Sequence, residues 1–300
     1  MNKPFFSIII PTYNRSSLIL KTLDSVFSQT YPDYEVIVVD NCSTDTTAEI
    51  LKPLHDSGKI IFIQHDKNYE RAVSRNTGIK NAKGAFLTFL DSDDTMHPDH
   101  LSTLFSIIKT NPEINFLATK YNIKRNNKIF YPSSLAGVKE GWHGIELLLK
   151  GNPLAISFCI KKNNSELHLF NEDSKYTVVE DWMFLMQNLM KEKIYIADKI
   201  TITLNDHDER TMRGNNQDII SKKLLAVEWI KQNLPLSNKQ IRIVEGYSFY
   251  FCAIHNYIDE NRIYAIKYLI KTTAKIGINI NLIILFFKIL IGNNIIRKLK

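Results

Sequence analysis

Cysteine is scarce in this chain. Cys42, Cys159 and Cys252 are odd in number, far apart and without metal-ligand spacing, which argues against a disulfide framework and for a reducing compartment. No stretch reaches the roughly eighteen uncharged apolar residues of a membrane-crossing helix, so no transmembrane span is expected. The run before Pro11 is too short and too weakly basic for a signal peptide, and none is expected. Neither G-x-G-x-x-G nor G-K-[ST] follows the first apolar run, which argues against a Rossmann dinucleotide site or a P-loop. Internal repeats and low-complexity segments are absent as well. The most one-sided absence is of acid. Beyond Glu260 there is no Asp or Glu, while Arg262, Lys267, Lys271, Lys275, Lys288, Arg297, Lys298 and Lys300 follow. Those eight charges exceed the formal net charge of +7, so the basic character belongs to the tail. A basic chain seeks acidic partners: nucleotides, nucleic acid or an anionic membrane face.

What is present is organised around Phe86–Asp94, FLTFLDSDD. An apolar run of this kind suits a strand buried on both faces. It ends in Asp91, Asp93 and Asp94, whose mutual repulsion and desolvation would cost stability unless something neutralised them. A divalent metal with a phosphate-bearing ligand would do so. An acidic loop capping a helix that begins near Pro98 is equally compatible with this stretch alone. The surrounding pattern alternates. Strands are expected at 6–11, 34–40, 60–64 and 85–90, with helices at 16–29, 44–55 and 72–81 between them, which predicts a right-handed, mostly parallel α/β sheet. Ligands bind beyond the carboxyl ends of such strands, and polar residues gather there: Thr12-Tyr13-Asn14-Arg15, Asp40-Asn41, Asn68 and the Asp cluster. Further on, a helix is expected at 101–109 and strands at 114–121 and 155–160. Residues 122–137 read as a hairpin or surface loop, and 142–149 as a short helix. A helix is expected at 178–191, strands at 194–197 and 200–204, and a polar loop at 205–216.

Taken together, SIIIPTYNR, VIVVDNCSTDTT, RAVSRNTGIKNAKG, FLDSDD and VVEDW, in this order, resemble a family 2 glycosyltransferase of the GT-A fold, over roughly Phe6–Arg213. The resemblance implies an inverting, metal-dependent transfer of a sugar from a nucleotide sugar to an acceptor hydroxyl. It implies that Pro11, Thr12 and Tyr13 hold the base, and that Asp40 accepts from the uracil N–H. Asn68 and Arg75 fall on the nucleotide side, and Asp91 and Ser92 on the donor. Asp93 is implied as a ligand of Mn²⁺ or Mg²⁺; Asp94 has no assigned role. Position 41 is Asn where the family usually has Asp. Asp181 matches the general base that takes the acceptor's proton. Adjacent Glu180 would raise its pKa by like-charge repulsion, and the helix dipole would lower it. His207 matches a histidine near the metal, and Arg210 a cation facing the departing diphosphate.

These readings divide the chain into a catalytic domain, 1–215, and a basic amphipathic helical extension, 216–300, with helices expected at 221–233, 239–258, 262–275 and 279–290. The extension suits peripheral contact with an anionic membrane. The expected donor is a UDP-sugar and the expected acceptor a lipid-linked or polysaccharide hydroxyl, at the cytoplasmic face of the plasma membrane. A metal-dependent nucleotidyltransferase would share the Asp cluster but needs no base at Asp181. A nucleic-acid-binding module would use the tail, yet the catalytic half has no basic–aromatic interleaving, so no nucleic-acid partner is expected.

Overall fold

The computed structural model describes residues 3–207 and 215–293. The chain opens with β1 (Phe6–Thr12), α1 (Ile19–Phe27), β2 (Tyr34–Asp40), α2 (Thr47–Asp56), β3 (Ile61–Gln64), α3 (Glu70–Asn81) and β4 (Phe86–Phe89). β3, β2, β1 and β4 lie side by side in that order and all run parallel. Successive residues Ile8, Ile9 and Ile10 have no exposure, so both faces of β1 are covered, as an unbroken apolar run requires. α3 comes unusually close at Gly78, where a Cβ would stand 2.3 Å from Ile9 Cγ2.

The remaining elements are β5 (Thr95–Met96), α4 (His100–Thr110), β6 (Phe116–Arg125), β7 (Lys128–Phe130), β8 (Gly141–His143), β9 (Phe158–Lys161), α5 (Glu180–Asn188) and β10 (Ile194–Asn205). β9 enters antiparallel between β4 and β6, β10 runs parallel to β6, and β5 lies antiparallel on β10. β1, β2, β3, β4, β6 and β10 therefore point one way, with β9 and β5 against them. The carboxyl ends of β1, β2, β4 and β10 share one rim, where the sequence places its polar exceptions.

Two expectations change and a third is narrowed to one of its alternatives. The strands expected at 194–197 and 200–204 are one strand, β10, which absorbs register shifts around Ile200 without breaking. The helix expected at 142–149 is β8 followed by a 3₁₀ turn, Ile145–Leu148. There, pairing on β10 and the edge-on packing of Trp142 against Tyr195 (5.5 Å) override the apolar spacing. Residues 122–137 resolve to a hairpin: β6 continues to Arg125 and turns through Asn126 and Asn127 into β7. Both asparagines have positive φ (47° and 60°), as a two-residue turn of that hand demands.

α6 (Asn216–Asn233), α7 (Asn238–Ile258), α8 (Arg262–Ile276) and α9 (Ile280–Ile291) follow. Asn215 caps α6, and Ser237 with Gln240 forms a capping box on α7. Two compact units result: Met1–Gly144 with Pro153–His207, and Ile145–Asn152 with Asp208–Lys300. The sequence assigned 145–152 to the first unit. It goes with the second, where Lys150 Nζ lies 5.2 Å from the centre of the Tyr247 ring on α7. Among the described residues no helix is long and apolar enough to cross a membrane.

Candidate active site

Parallel register brings the rim together. Thr12 ends β1 opposite Asp40 of β2, and Asp40 lies opposite Gln64 of β3. The Asp40 side chain is buried. It accepts from the Ser43 backbone N–H (3.2 Å) and hydroxyl, and from Gln64 Nε2 (2.9 Å). Donors of this kind hold a carboxylate in place at a strand end. Asn41 uses both ends of its amide: Nδ2 donates to Asn68 Oδ1 (2.6 Å), and Oδ1 accepts from the Tyr69 N–H (2.9 Å). A carboxylate at 41 could not make the first bond. Asn68 is thus tied to the Asp40 strand, while Pro11 and Thr12 are buried and Tyr13 stands 40% exposed beside them.

After β4 the chain turns tightly, the Asp94 N–H donating to the Asp91 carbonyl (3.0 Å). Thr22 of α1 ties the turn down by donating to the carbonyls of Ser92 (3.0 Å) and Asp94 (2.9 Å). Ser92 is buried within it. The end of β10 completes the anchorage. Asn205 gives its backbone N–H to Asp94 Oδ1 (2.8 Å) and its side-chain amide to the Asp93 carbonyl (2.7 Å). Asp94, unassigned by the sequence, is a buried strut between the turn after β4 and the end of β10. Asp93, its side chain 11% exposed, has His207 Nε2 at 2.9 Å and Arg15 Nη2 at 3.6 Å from its Oδ2. Asp91, Asp93 and Asp94 each offer an oxygen, all within 4.8 Å of one another. Hard oxygen donors at this spacing fit Mg²⁺ or Mn²⁺.

Arg75 connects this cluster to α5. It is among the largest fully buried side chains, with Nη2 on Asp91 Oδ1 (2.9 Å) and Nη1 on Glu180 Oε1 (2.7 Å). Its guanidinium also lies 5.4 Å from the centre of the Phe170 ring. Burial opposes its charge, but the carboxylates of Asp91, Glu180 and Asp181 outweigh burial and hold its pKa above the ordinary arginine value. The sequence put Arg75 on the nucleotide side. The structure commits both terminal nitrogens to protein carboxylates. Glu180, beside Asp181, is itself met by Arg75 and, at 3.7 Å, by Arg71. Asp181 stands in the first turn of α5, half-buried, its Oδ1 accepting from the Trp182 N–H (2.7 Å). Just before it, Val178 has φ 89°, strain of the sort that clusters at functional sites.

The structure therefore gathers Asp91, Ser92, Asp93, His207, Arg75 and Asp181 through contacts at β4, β10 and α5, and Pro11, Thr12, Asp40 and Asn68 along the neighbouring strand ends. Arg210 and most of the loop expected at 205–216 lie outside the described residues. Sequence reasoning missed Arg15, Thr22 and Asn205 as partners of the cluster. Arg15 had a signal, since it closes the SIIIPTYNR motif; Asn205 had none, since a bond to a turn 111 residues away leaves no local pattern.

The family model described as Glycosyl transferase family 2 matches residues 7–169, which takes in the rim and the Asp cluster. The chain belongs to glycosyl transferase family 2. An uncharacterized glycosyltransferase of Methanocaldococcus jannaschii is 35% identical over 76% of this chain and 81% of its own. The putative teichuronic acid biosynthesis glycosyltransferase TuaG of Bacillus subtilis is 40% identical over 33% of this chain and 40% of its own. Among solved structures, S. aureus TarS in complex with UDP-GlcNAc superposes with a TM-score of 0.64 over 91% of this chain and 92% of that one, at 20% identity. The Pyrobaculum calidifontis mannosyltransferase in complex with GDP-Man and Mn²⁺ does so with a TM-score of 0.60 over 96% and 79%, at 17% identity. At these identities the two structures establish a shared GT-A fold for this family 2 chain and nothing finer.

Proposed function

We propose that this glycosyltransferase moves a sugar from a UDP-sugar to an acceptor hydroxyl with inversion, with Asp181 as the general base. One observation carries the reading: the Asp91–Asp94 turn and the start of α5 are joined through the single buried side chain of Arg75. Asp181 takes the acceptor's proton as its oxygen attacks the anomeric carbon, and the bond from that carbon to the diphosphate breaks, releasing UDP. Pro11, Thr12, Tyr13 and Asn68 line the uridine side, where Asp40 accepts from the uracil N–H. Asp91 and Ser92 face the donor. Asp93 would hold the divalent ion, Mn²⁺ or Mg²⁺, with His207 beside it, and the ion when bound supplies positive charge against the leaving diphosphate. Arg75 acts beneath the site, setting the distance between Asp91 and α5. Arg210 belongs to the proposal by sequence alone, as a cation for the diphosphate.

The likeness to TuaG supports a surface-polysaccharide or lipid-linked acceptor, and the basic helices support transfer at the inner membrane face. In this view unit one, with the site, is the catalytic domain and the helical unit the membrane-associating extension. The test is UDP release from a panel of UDP-hexoses and UDP-N-acetylhexosamines with Mn²⁺ and lipid-linked acceptors. Release is expected with at least one pair. Asp181→Asn should abolish it while calorimetric UDP binding persists; unchanged turnover in that variant would remove the base assignment. Removing the metal by chelation should abolish release, and added Mn²⁺ should restore it.

A further inference from the structure

The last helix among the described residues, α9, has a face that its own unit does not use. Leu282, Leu285 and Ile289 of α9 are buried and cluster with Ala253, Ala265 and Leu269. Spaced three and four residues apart, they form one narrow stripe. The opposite side presents Ile283, Ile284, Phe286, Phe287, Leu290 and Ile291, each between 40% and 56% exposed. Lys288 is the only charged residue of the helix. Isolated exposed apolar residues are ordinary; six on one side of one helix are not. The outer face of α8 adds Ile263 (80% exposed) and Ile270 (64%), interleaved with Lys267 and Lys271.

Charge says what covers this face. Arg262 is paired with Glu260 (3.5 Å), and Lys275 with Glu245. Lys267 and Lys271 lie over the rings of Tyr264 (5.8 Å) and Tyr268 (5.4 Å), and no acidic residue follows Glu260. Two copies packed through this face about a two-fold axis would oppose lysine to lysine. The complementary surface must be acidic at its edge and apolar beneath, which is the chemistry of an anionic bilayer interface.

We infer that α9 and the outer face of α8 lie in the plane of an anionic membrane surface, with Phe286, Phe287 and their isoleucine neighbours among the acyl chains and Lys267, Lys271 and Lys288 on headgroup phosphates. α9 is about 18 Å long, too short for a hydrocarbon core of about 30 Å, so it lies along the surface. This deepens the membrane contact in the reading above and does not depend on the transfer chemistry.

The test is co-sedimentation of the full chain with phosphatidylcholine vesicles, with or without about a third phosphatidylglycerol. Binding is expected to the anionic vesicles, at least ~10-fold weaker to neutral ones, and falling steeply as salt is raised. Phe287→Asp and the pair Lys267→Glu with Lys271→Glu should each weaken it ~10-fold, with circular dichroism and UDP binding unchanged. Phe287→Trp should show a blue-shifted emission on anionic vesicles. Absence of binding by the folded wild type, equal binding by these variants, or a dimer that Phe287→Asp dissolves would overturn the inference. Vesicle binding without UDP release from any donor would count against the transferase reading and leave this one standing.

Discussion

Arg75 shows how far one side chain can link separate parts of a site. A guanidinium out of water is tolerable only while carboxylates surround it, and Asp91, Glu180 and Asp181 do. Removing one partner leaves the other as an uncompensated buried charge. Arg75→Met or Glu180→Gln should therefore cost about 3–5 kcal/mol in denaturant unfolding. Asp91→Asn should cost less, since Asp91 is partly open to water. His100 makes a second residue-scale case. It is buried on α4, Nδ1 against the Thr201 hydroxyl at 2.7 Å and Nε2 without a hydrogen-bond partner among the described residues. Burial pushes its pKa down to about 3 from an ordinary 6.5. Between those values the unfolded chain binds a proton that the folded chain refuses. Stability is thus full above about 6.5 and declines as pH falls toward about 3. His100→Asn should flatten that decline in urea titrations run across the window, whatever it does to stability at neutral pH.

At the scale of elements, the site depends on how closely α3 approaches β1, because α3 carries Arg75. Gly78 sets that approach. Gly78→Ala would drive a methyl into Ile9 and should destabilise the fold by about 1–3 kcal/mol, with a loss of turnover from displacement of Arg75. A variant as stable and active as the wild type would show that α3 can move without consequence. The first half of the sheet was legible because the runs of β1, β2 and β4 are largely buried and its strands alternate with helices. The second half was less so. β10 carries Asp198 and Lys199 in mid-strand, which read locally as a break, whereas Lys120 of neighbouring β6 pairs with Asp198 at 2.6 Å. The carboxylates of the site were readable as candidates from their clustering, but Asp94 could not be told from Asp93. The side chains differ in their partners, the Asn205 backbone N–H for one and His207 with Arg15 for the other.

For the whole molecule, ligand binding and stability are linked. Under the proposed function a donor held across the strand ends binds the folded chain alone, so UDP with Mn²⁺ at about 100 times the dissociation constant should add about 2.7 kcal/mol and raise the melting temperature. Asp93→Asn should lose most of the metal-dependent part of that shift, and a shift of undiminished size would remove Asp93 as the ligand. The tail is the other whole-molecule feature. Its charge asymmetry is a property of composition, while the face that asymmetry serves is defined only by which side of α9 the core takes up.

By itself the sequence determined the alternation of elements, the family, the polar strand ends and the one-sided charge, because each is a local pattern of residue types. Tertiary structure alone decided that Arg75 turns inward, that Asp94 is a strut, that Glu180 pairs with Arg75 and that α9 buries only Leu282, Leu285 and Ile289. Each of these follows from contacts between residues far apart in the chain, where burial selects the partner and local pattern carries no trace of it.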